Sequence, residues 1–260
     1  MLRPRIIPCL LVHDGGLVKT VQFKQHKYVG DPINAVKIFN EKEADELIVL
    51  DIDATIHNAE PNYQMIRNLA AECRMPLCYG GGIKTADQAD RIIGMGVEKV
   101  AVSAGALDRP ALVEEMAHRV GNQSVAVVID YRKKTGLLKK GVEVTSRNAT
   151  RTHDIDLIAF AKQMQDAGAG EIILNSVDLD GKMGGYDIKT AELLRGSLTV
   201  PITILGGAGK YQDIADLIRR CGVLGAAAGS LFVFKGPYRA VLINYPTVEQ
   251  KDAIIESARD

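Results

Sequence analysis

Short apolar or β-branched runs recur along the whole chain, separated by longer stretches with helical spacing. The runs cover Arg5 to Val12, Glu46 to Ile52, Pro76 to Tyr79, Glu98 to Val102, Ser124 to Asp130, Glu171 to Ser176, Val200 to Leu205 and Val223 to Ala228. Each has the length and bounding residues of a buried strand. Between them, helix start signals stand at Asp31-Pro32, at Glu60-Pro61, and at Thr85 followed three residues later by Gln88. Such residues satisfy, or dispense with, the free N–H groups of a first helical turn. Strand alternating with helix calls for parallel strands, because each helix returns the chain to the edge where the next strand begins. Eight such units predict an α/β fold, a (β/α)8 TIM barrel.

The chain also repeats itself. Ala44-Asp45-Glu46-Leu47-Ile48-Val49 matches Ala169-Gly170-Glu171-Ile172-Ile173-Leu174 at a separation of 125 residues, and Pro76 with Gly81-Gly82 matches Pro201 with Gly206-Gly207 at the same offset. Two matches in one register, both at strand ends, predict a doubled half-barrel. A length of 260 residues suits one such barrel, so residues 1–260 are expected to form a single domain.

Composition narrows the function. Thirty-two basic and thirty-two acidic residues cancel, so no overall field draws the protein to nucleic acid or to an anionic membrane, and any anion must be bound locally. Cys9, Cys73, Cys78 and Cys221 lack C-x-x-C spacing and lie in or beside apolar stretches. Reduced, packed thiols are expected, with no disulfide frame and no metal site, and hence a cytoplasmic location. The apolar run near the N-terminus is interrupted by Pro8 and is too short for a membrane span or secretory signal.

Two glycine clusters carry the candidate chemistry. Tyr79-Gly80-Gly81-Gly82-Ile83-Lys84 follows the third strand, and Leu205-Gly206-Gly207-Ala208-Gly209 follows the seventh. Glycine at a strand-to-helix turn allows positive φ and lets backbone N–H groups approach an anion. The next strand in each half ends in small residues, Ser103-Ala104-Gly105 and Gly229-Ser230, and in barrels a phosphate commonly bridges the loops after strands seven and eight. Taken singly, such glycines usually make only tight turns. Two equivalent clusters point instead to two phosphate corners, one per half.

Other runs carry a resemblance: Arg5-Ile6-Ile7-Pro8-Cys9-Leu10, Asp14-Gly15, Val18-Lys19, Gly30-Asp31-Pro32, Ala44-Asp45-Glu46-Leu47 and Leu50-Asp51-Ile52. Gly80-Gly81-Gly82-Ile83, Asp130, Gly168-Ala169-Gly170-Glu171-Ile172, Asp178 to Gly181, Gly185-Tyr186-Asp187 and Gly206-Gly207-Ala208-Gly209 continue it almost end to end. The chain resembles the cyclase subunit of imidazole glycerol phosphate synthase. In that family the barrel takes ammonia made by a separate glutaminase subunit, passes it through its interior, and uses it to cleave and cyclise a substrate bearing two phosphates. The resemblance implies that Gly81, Gly82 and the Ser103 region hold one phosphate, while Asp180, Gly181, Gly206, Gly207, Gly229 and Ser230 surround the other. Lys19, on a long loop after the first strand, would cover the substrate, and no cofactor is implied. Asp130 matches one of the family's two catalytic aspartates, and a carboxylate at a strand end suits proton transfer during amine addition and ring closure.

The other aspartate is missing. Where the family reads Cys-Leu-Asp-Val, this chain has Cys9-Leu10-Leu11-Val12, and Ser103-Ala104 replaces the usual Asn-Thr pair. His13 or Asp14 would substitute only if the first strand continued that far. At the opposite end, Arg5, Glu46, Lys99 and Glu171 match the four charged residues that ring the family's ammonia entrance; a plain charged plug is the structural alternative. Loss of one acid beside a retained entrance implies a divergent, cyclase-like subunit that forms a heterodimer with a glutaminase. Where it departs from the histidine pathway the chain resembles the subgroup found with bacterial surface polysaccharides, which implies that its ammonia goes, through a sugar amidotransferase, to an acetamidino group of such a polysaccharide (lipopolysaccharide O-antigen). The alternatives are a true cyclase subunit of histidine biosynthesis, a phosphoribosyl sugar isomerase-like barrel, and a non-catalytic phosphate-binding scaffold. The region Tyr131 to Asp154, with Arg132-Lys133-Lys134, Lys139-Lys140 and Arg147, reads as a basic loop with a small hairpin, suited to cover phosphates or to touch a third partner.

Overall fold

The first strand, β1 (Arg5–His13), turns back on itself at once. Asp14 and Gly15 both take positive φ, 48° and 75°, and His13 pairs with Gly16 across them, a two-residue turn whose twist matches its strands. β2 (Gly16–Val21) and β3 (Lys24–Gly30) follow as an antiparallel pair. The expected long loop after the first strand is therefore a sheet extension, and Asp14-Gly15 was its overlooked turn signal. The second turn, Gln22-Phe23, has positive φ without glycine and is pinned from outside: Asp180 accepts from Thr20 Oγ1 at 2.6 Å and from Phe23 N at 3.1 Å.

This computed structural model describes residues 3–134 and 141–258. α1 (Pro32–Glu41) starts as predicted, with Asp31 accepting from Asn34 N at 2.9 Å and proline in the first turn. After β4 (Leu47–Asp51) comes α2 (Tyr63–Glu72), which begins later than Glu60-Pro61 suggested. Asn62 is its cap, accepting from Met65 N at 3.1 Å, and Pro61 sits buried just before it. β5 (Leu77–Gly80) leads to α3 (Ala86–Ile93), where Thr85 and Gln88 exchange reciprocal hydrogen bonds as expected. The first half ends with β6 (Lys99–Val102), the short α4 (Ala104–Asp108) and α5 (Ala111–Val120).

β7 (Val125–Lys133) opens the second half and folds back antiparallel onto β8 (Val142–Ser146), with β9 (Arg151–His153) beyond it. The predicted hairpin is thus present and larger than expected; Lys139 and Lys140 lie outside the described residues. α6 (Leu157–Asp166), β10 (Glu171–Ser176), α7 (Ile188–Ser197), β11 (Ile202–Leu205), α8 (Tyr211–Cys221), β12 (Gly225–Ala228) and α9 (Ser230–Val233) complete the alternation. A two-residue pair, β13 (Phe234–Lys235) with β14 (Ala240–Val241), precedes the last helix, α10 (Val248–Ser257).

β1, β4, β5, β6, β7, β10, β11 and β12 are parallel neighbours in that order, and β12 pairs with β1 to close the cylinder. All eight lie at the predicted runs, with ends shifted by up to three residues, so that β7 runs on to Lys133 and Glu46 stands one residue before β4. The fold is a (β/α)8 barrel. Alternation along each strand divides the core: Ile6, Leu10 and Val12 face the helices, while Ile7 and Cys9 join Ile48, Cys78, Ala101, Ala126, Val128, Ile173, Leu205 and Ala227 inside. The doubling shows in the backbone too. Gly81 and Gly82 take φ of 127° and 73°, and Gly206 and Gly207 take 95° and 110° at the equivalent strand ends. The four cysteines are free thiols. Among the described residues no helix is long and apolar enough to cross a membrane.

Candidate functional site

Every residue that the sequence assigned to the substrate side lines one cavity at the C-terminal mouth of the barrel: Lys19, Gly81, Gly82, Ser103, Asp130, Asp180, Gly181, Gly206, Gly207, Gly229 and Ser230. The glycines are needed there for space as well as for φ. A Cβ on Gly207 would lie 2.1 Å from Gly185 O, and one on Gly181 2.1 Å from Thr20 O, distances that force backbone apart. Their absence of a side chain lets two loops close against each other at the second corner.

Asp130, near the end of β7, accepts a hydrogen bond from Asn175 Nδ2 at 2.8 Å. Burial pushes its carboxyl up to about 6, against the opposing pull of that amide. It can therefore hold or release a proton near neutrality. Leu11 lines the same cavity, in register with Leu50 on β4 and Val18 on β2, so the position carries no acid. β1 does continue to His13, yet the imidazole is not part of the cavity wall. Its Nδ1 lies 2.7 Å from Asp53 Oδ1, a bond that raises the ring's pKa and turns it toward the rim.

Sequence reasoning gave no role to a third cavity carboxylate. Asp51, the last residue of β4, lines the mouth and accepts from the N–H groups of Asp53 and Ala54 at 3.0 and 3.1 Å. Burial nevertheless holds it above the usual carboxylate range. Its place at a strand end was the available signal. Arg147 and Asn148, at the tip between β8 and β9, also reach the cavity, and only the pairing of that hairpin brings them there.

Lys19 and Asp180 both line the second corner, Lys19 from a strand and not from a covering loop, and Asp180 with one oxygen engaged by a hairpin. Lys19 is 5% exposed on β2, and its Nζ donates to Cys9 O at 2.5 Å. It fills space beside Gly229, whose Cβ would lie 2.5 Å from that nitrogen; burial pulls its pKa down. Lysine thus sits inside the second corner and does not cover it from a loop. Asp180 engages one carboxylate oxygen with Thr20 and Phe23, latching the β2–β3 hairpin over that corner.

At the other end of the barrel, Arg5, Glu46, Lys99 and Glu171 form a closed alternating ring. Lys99 Nζ lies 2.8 Å from both carboxylates, and Arg5 bonds Glu171 at 2.7 Å as well as Glu46. The Glu46 and Glu171 side chains are only 4% and 5% exposed. For Glu171 burial works upward, but Arg5 and Lys99 outweigh it and bring the group down to about 2. Burial would likewise lower Arg5 and Lys99, and the two carboxylates reverse that. Thr203 completes the shell, donating to Glu171 at 2.5 Å; Gly225 makes room for it, since a Cβ there would lie 1.9 Å from the hydroxyl. Neither residue was anticipated.

Among the described residues one group, His13, Asp14 and Asp53, has donor atoms close enough to consider a metal. The imidazole directs Nδ1 to Asp53 and Nε2 toward Asp14 at 3.4 Å, so its nitrogens diverge toward two carboxylates. One hydrogen bond, to Asp53, fixes the ring.

Residues 5–238 match the family model described as histidine biosynthesis protein. The chain belongs to that family. It is 53% identical over 256 residues to a protein of Vibrio vulnificus named as a putative imidazole glycerol phosphate synthase subunit, covering 98% of each chain. A likewise-named protein of Leptospira borgpetersenii is 54% identical over 254 residues, covering 98% of this chain and 99% of its own length. The imidazole glycerol phosphate synthase subunit HisF of Streptomyces griseus is 38% identical over 233 residues, about nine-tenths of either chain. Within the histidine biosynthesis protein family, then, this is a HisF-like barrel, and the cavity and the ring lie at its two ends.

Proposed function

We propose that the protein is the synthase subunit of a glutamine amidotransferase complex. It takes ammonia from a glutaminase subunit at the charged ring and delivers it at the upper cavity, where a phosphorylated small molecule binds. The acceptor is a sugar of a bacterial surface polysaccharide, on which a sugar amidotransferase partner forms an acetamidino group. The observation that carries this reading is Leu11 in the cavity wall above an intact ring.

The chemistry follows from bottom to top. Each cation of the ring holds both carboxylates, so the ring satisfies itself and carries no net charge. Two residues further along the strands stand Ile7, Ile48, Ala101 and Ile173, with Val128 level with Ile173, all apolar; Cys9 and Leu50 follow, where Ser103 and Asn175 already belong to the cavity. An ammonium ion would lose its hydration in such a column at large cost, whereas neutral ammonia loses little. Only neutral ammonia is therefore admitted, the proton of any ammonium passing to water outside the ring, since Glu171, held at about 2, does not take it. Above, Asp130 titrates near 6 and can exchange a proton with an incoming amine. Leu11 cannot, and loss of one general acid or base costs about two to four orders of magnitude in rate. Ring closure of the cyclase substrate is accordingly slow, while delivery of ammonia is not impaired.

A second reading, a genuine cyclase subunit, draws support from Asp51, a buried carboxyl with a raised pKa in the same wall. Both readings require a glutaminase partner, so complex formation tests the shared ammonia route and cyclase turnover separates the two. Coexpression with a glutaminase homologue from the same source is expected to give a stable complex with stimulated glutamine hydrolysis; a barrel that remains alone removes both readings. Ammonia-dependent turnover of the cyclase substrate at an ordinary cyclase rate would establish the second. Leu11→Asp is expected to raise that turnover at least about tenfold, and no gain would show that the site has diverged beyond this one position.

A further inference from the structure

The cavity wall contains three carboxylates, Asp51, Asp130 and Asp180, and two cations, Lys19 and Arg147. Lys19 belongs to the second corner, against Gly229. Arg147 lies at the first: its guanidinium reaches Asp108, the last residue of the short helix that starts after Ser103. The two halves therefore each receive one cation, carried in both cases by a hairpin that leaves the barrel. We infer that Arg147 is the anion-reading residue of the first corner, and that the group it takes is a phosphate monoester on the end of the ligand opposite Lys19. This rests on the reading that the cavity binds a phosphorylated molecule, and it adds which side chain selects for it.

Three observations support the assignment. The backbone of Arg147 is fixed over the mouth, because Asn148 Nδ2 donates to Ile52 O at 3.0 Å across the cavity and Arg132 Nη1 donates to Ala149 O at 3.4 Å. Its head group is held loosely by comparison. The one ion pair, to Asp108, is 3.4 Å long with both side chains 40% exposed, while Arg151 holds the other oxygen of Asp108 at 3.0 Å. Arg147 can thus leave Asp108 for a ligand without stranding that carboxylate. Finally, the Ser103 hydroxyl is buried in the same wall with no hydrogen bond of full geometry, close enough to Asp130 to draw its pKa down, a donor that an oxygen of that ligand can share. Without Arg147, a dianion in the first corner would meet Asp51 and Asp130 with no cation of the wall beside it. A guanidinium is suited to the task, since it pairs two phosphate oxygens at once.

The test is a titration of the full-length, isotopically labelled chain with inorganic phosphate, read by the amide signals of Gly82 and Ser103 at one corner and Gly207 and Ser230 at the other. The unaltered protein is expected to respond at both. Arg147→Gln should weaken the first corner at least about tenfold and leave the second within about twofold, the scale of a lost charge-assisted bidentate pair. Arg147→Lys should recover part of the loss, and Asp108→Asn should tighten the first corner. Unchanged affinities in Arg147→Gln, or equal weakening at both corners, would overturn the assignment while leaving the phosphate reading intact. No response in the unaltered protein would overturn both.

Discussion

At the scale of single residues, the two sides of the mouth are unequal. Asp130 is a buried acid whose pKa has moved from an ordinary 3.8 to about 6, and the side chain at position 11 is a leucine. Between these values the unfolded chain has released its proton and the folded chain has not, so stability is full below about pH 4 and is lost as pH rises through 6. Asp130→Asn removes that loss and can still accept from Asn175. It is expected to be more stable than the parent by on the order of 2 kcal/mol at pH 7.5 and nearly equal at pH 4. Urea unfolding at both values checks this, and a gain independent of pH would count against it. Part of the residue chemistry was legible in the order of amino acids: Asp130, Leu11 and the glycines were all found there. Asp51 and Thr203 were given no role, and Arg147 was read only as one member of a basic loop suited to cover phosphates, because the neighbouring sequence does not show which side chain of such a loop, or which strand-end residue, enters the cavity.

At the scale of elements, the hairpins matter more than the helices. β2–β3 is held down by Asp180, whose two oxygen-accepted bonds come from Thr20 and Phe23, and by Gln22 N donating to Asp180 O at 3.1 Å. Removing a buried acceptor leaves its donors unpaired at about 1–3 kcal/mol. Asp180→Ala is therefore expected to loosen this hairpin before the barrel, with proteolytic cuts appearing between residues 16 and 30 while the global unfolding midpoint moves little. Cleavage unchanged from the parent would show that packing, and not the carboxylate, secures it. A related expectation concerns Gly207. Its φ of 110° and the 2.1 Å approach of Gly185 O to a built Cβ make Gly207→Ala destabilising by about 1–3 kcal/mol from backbone strain, more if the loops separate. Thermal unfolding of the variant measures it. The strands were readable from their apolar runs. The Gln22-Phe23 turn was hidden because a distant loop supplies the bonds that stabilise it.

For the whole molecule, the ring is the decisive feature, since four strands must close before its members meet. Its carboxylates are buried, its cations are partly so, and all four are mutually satisfied, so removing one leaves its partners with an uncompensated desolvation cost. Glu171→Ala, which strands Arg5 and Lys99 against Glu46 alone, is expected to lose about 3–5 kcal/mol. The pH window differs from that of Asp130. With a folded pKa lowered from 4.5 to about 2, Glu171 contributes fully above 4.5, and its contribution is lost as pH falls toward 2. Acid unfolding should thus begin at higher pH in Glu171→Ala than in the parent, and coincident acid transitions would argue against a structural role for the pair.

The amino-acid order by itself determined the alternation of strand and helix, the doubling, and the residue types at each strand end, because these depend on periodicity and on backbone needs within a few residues. Only the closed barrel decided which of those ends share a cavity, that Lys19 points inward, that Asp180 latches a hairpin, and that four charges from separate strands become one neutral ring. Burial and electrostatic pairing are properties of what the fold brings together, and the separations involved, up to 166 residues between Arg5 and Glu171, leave no local trace.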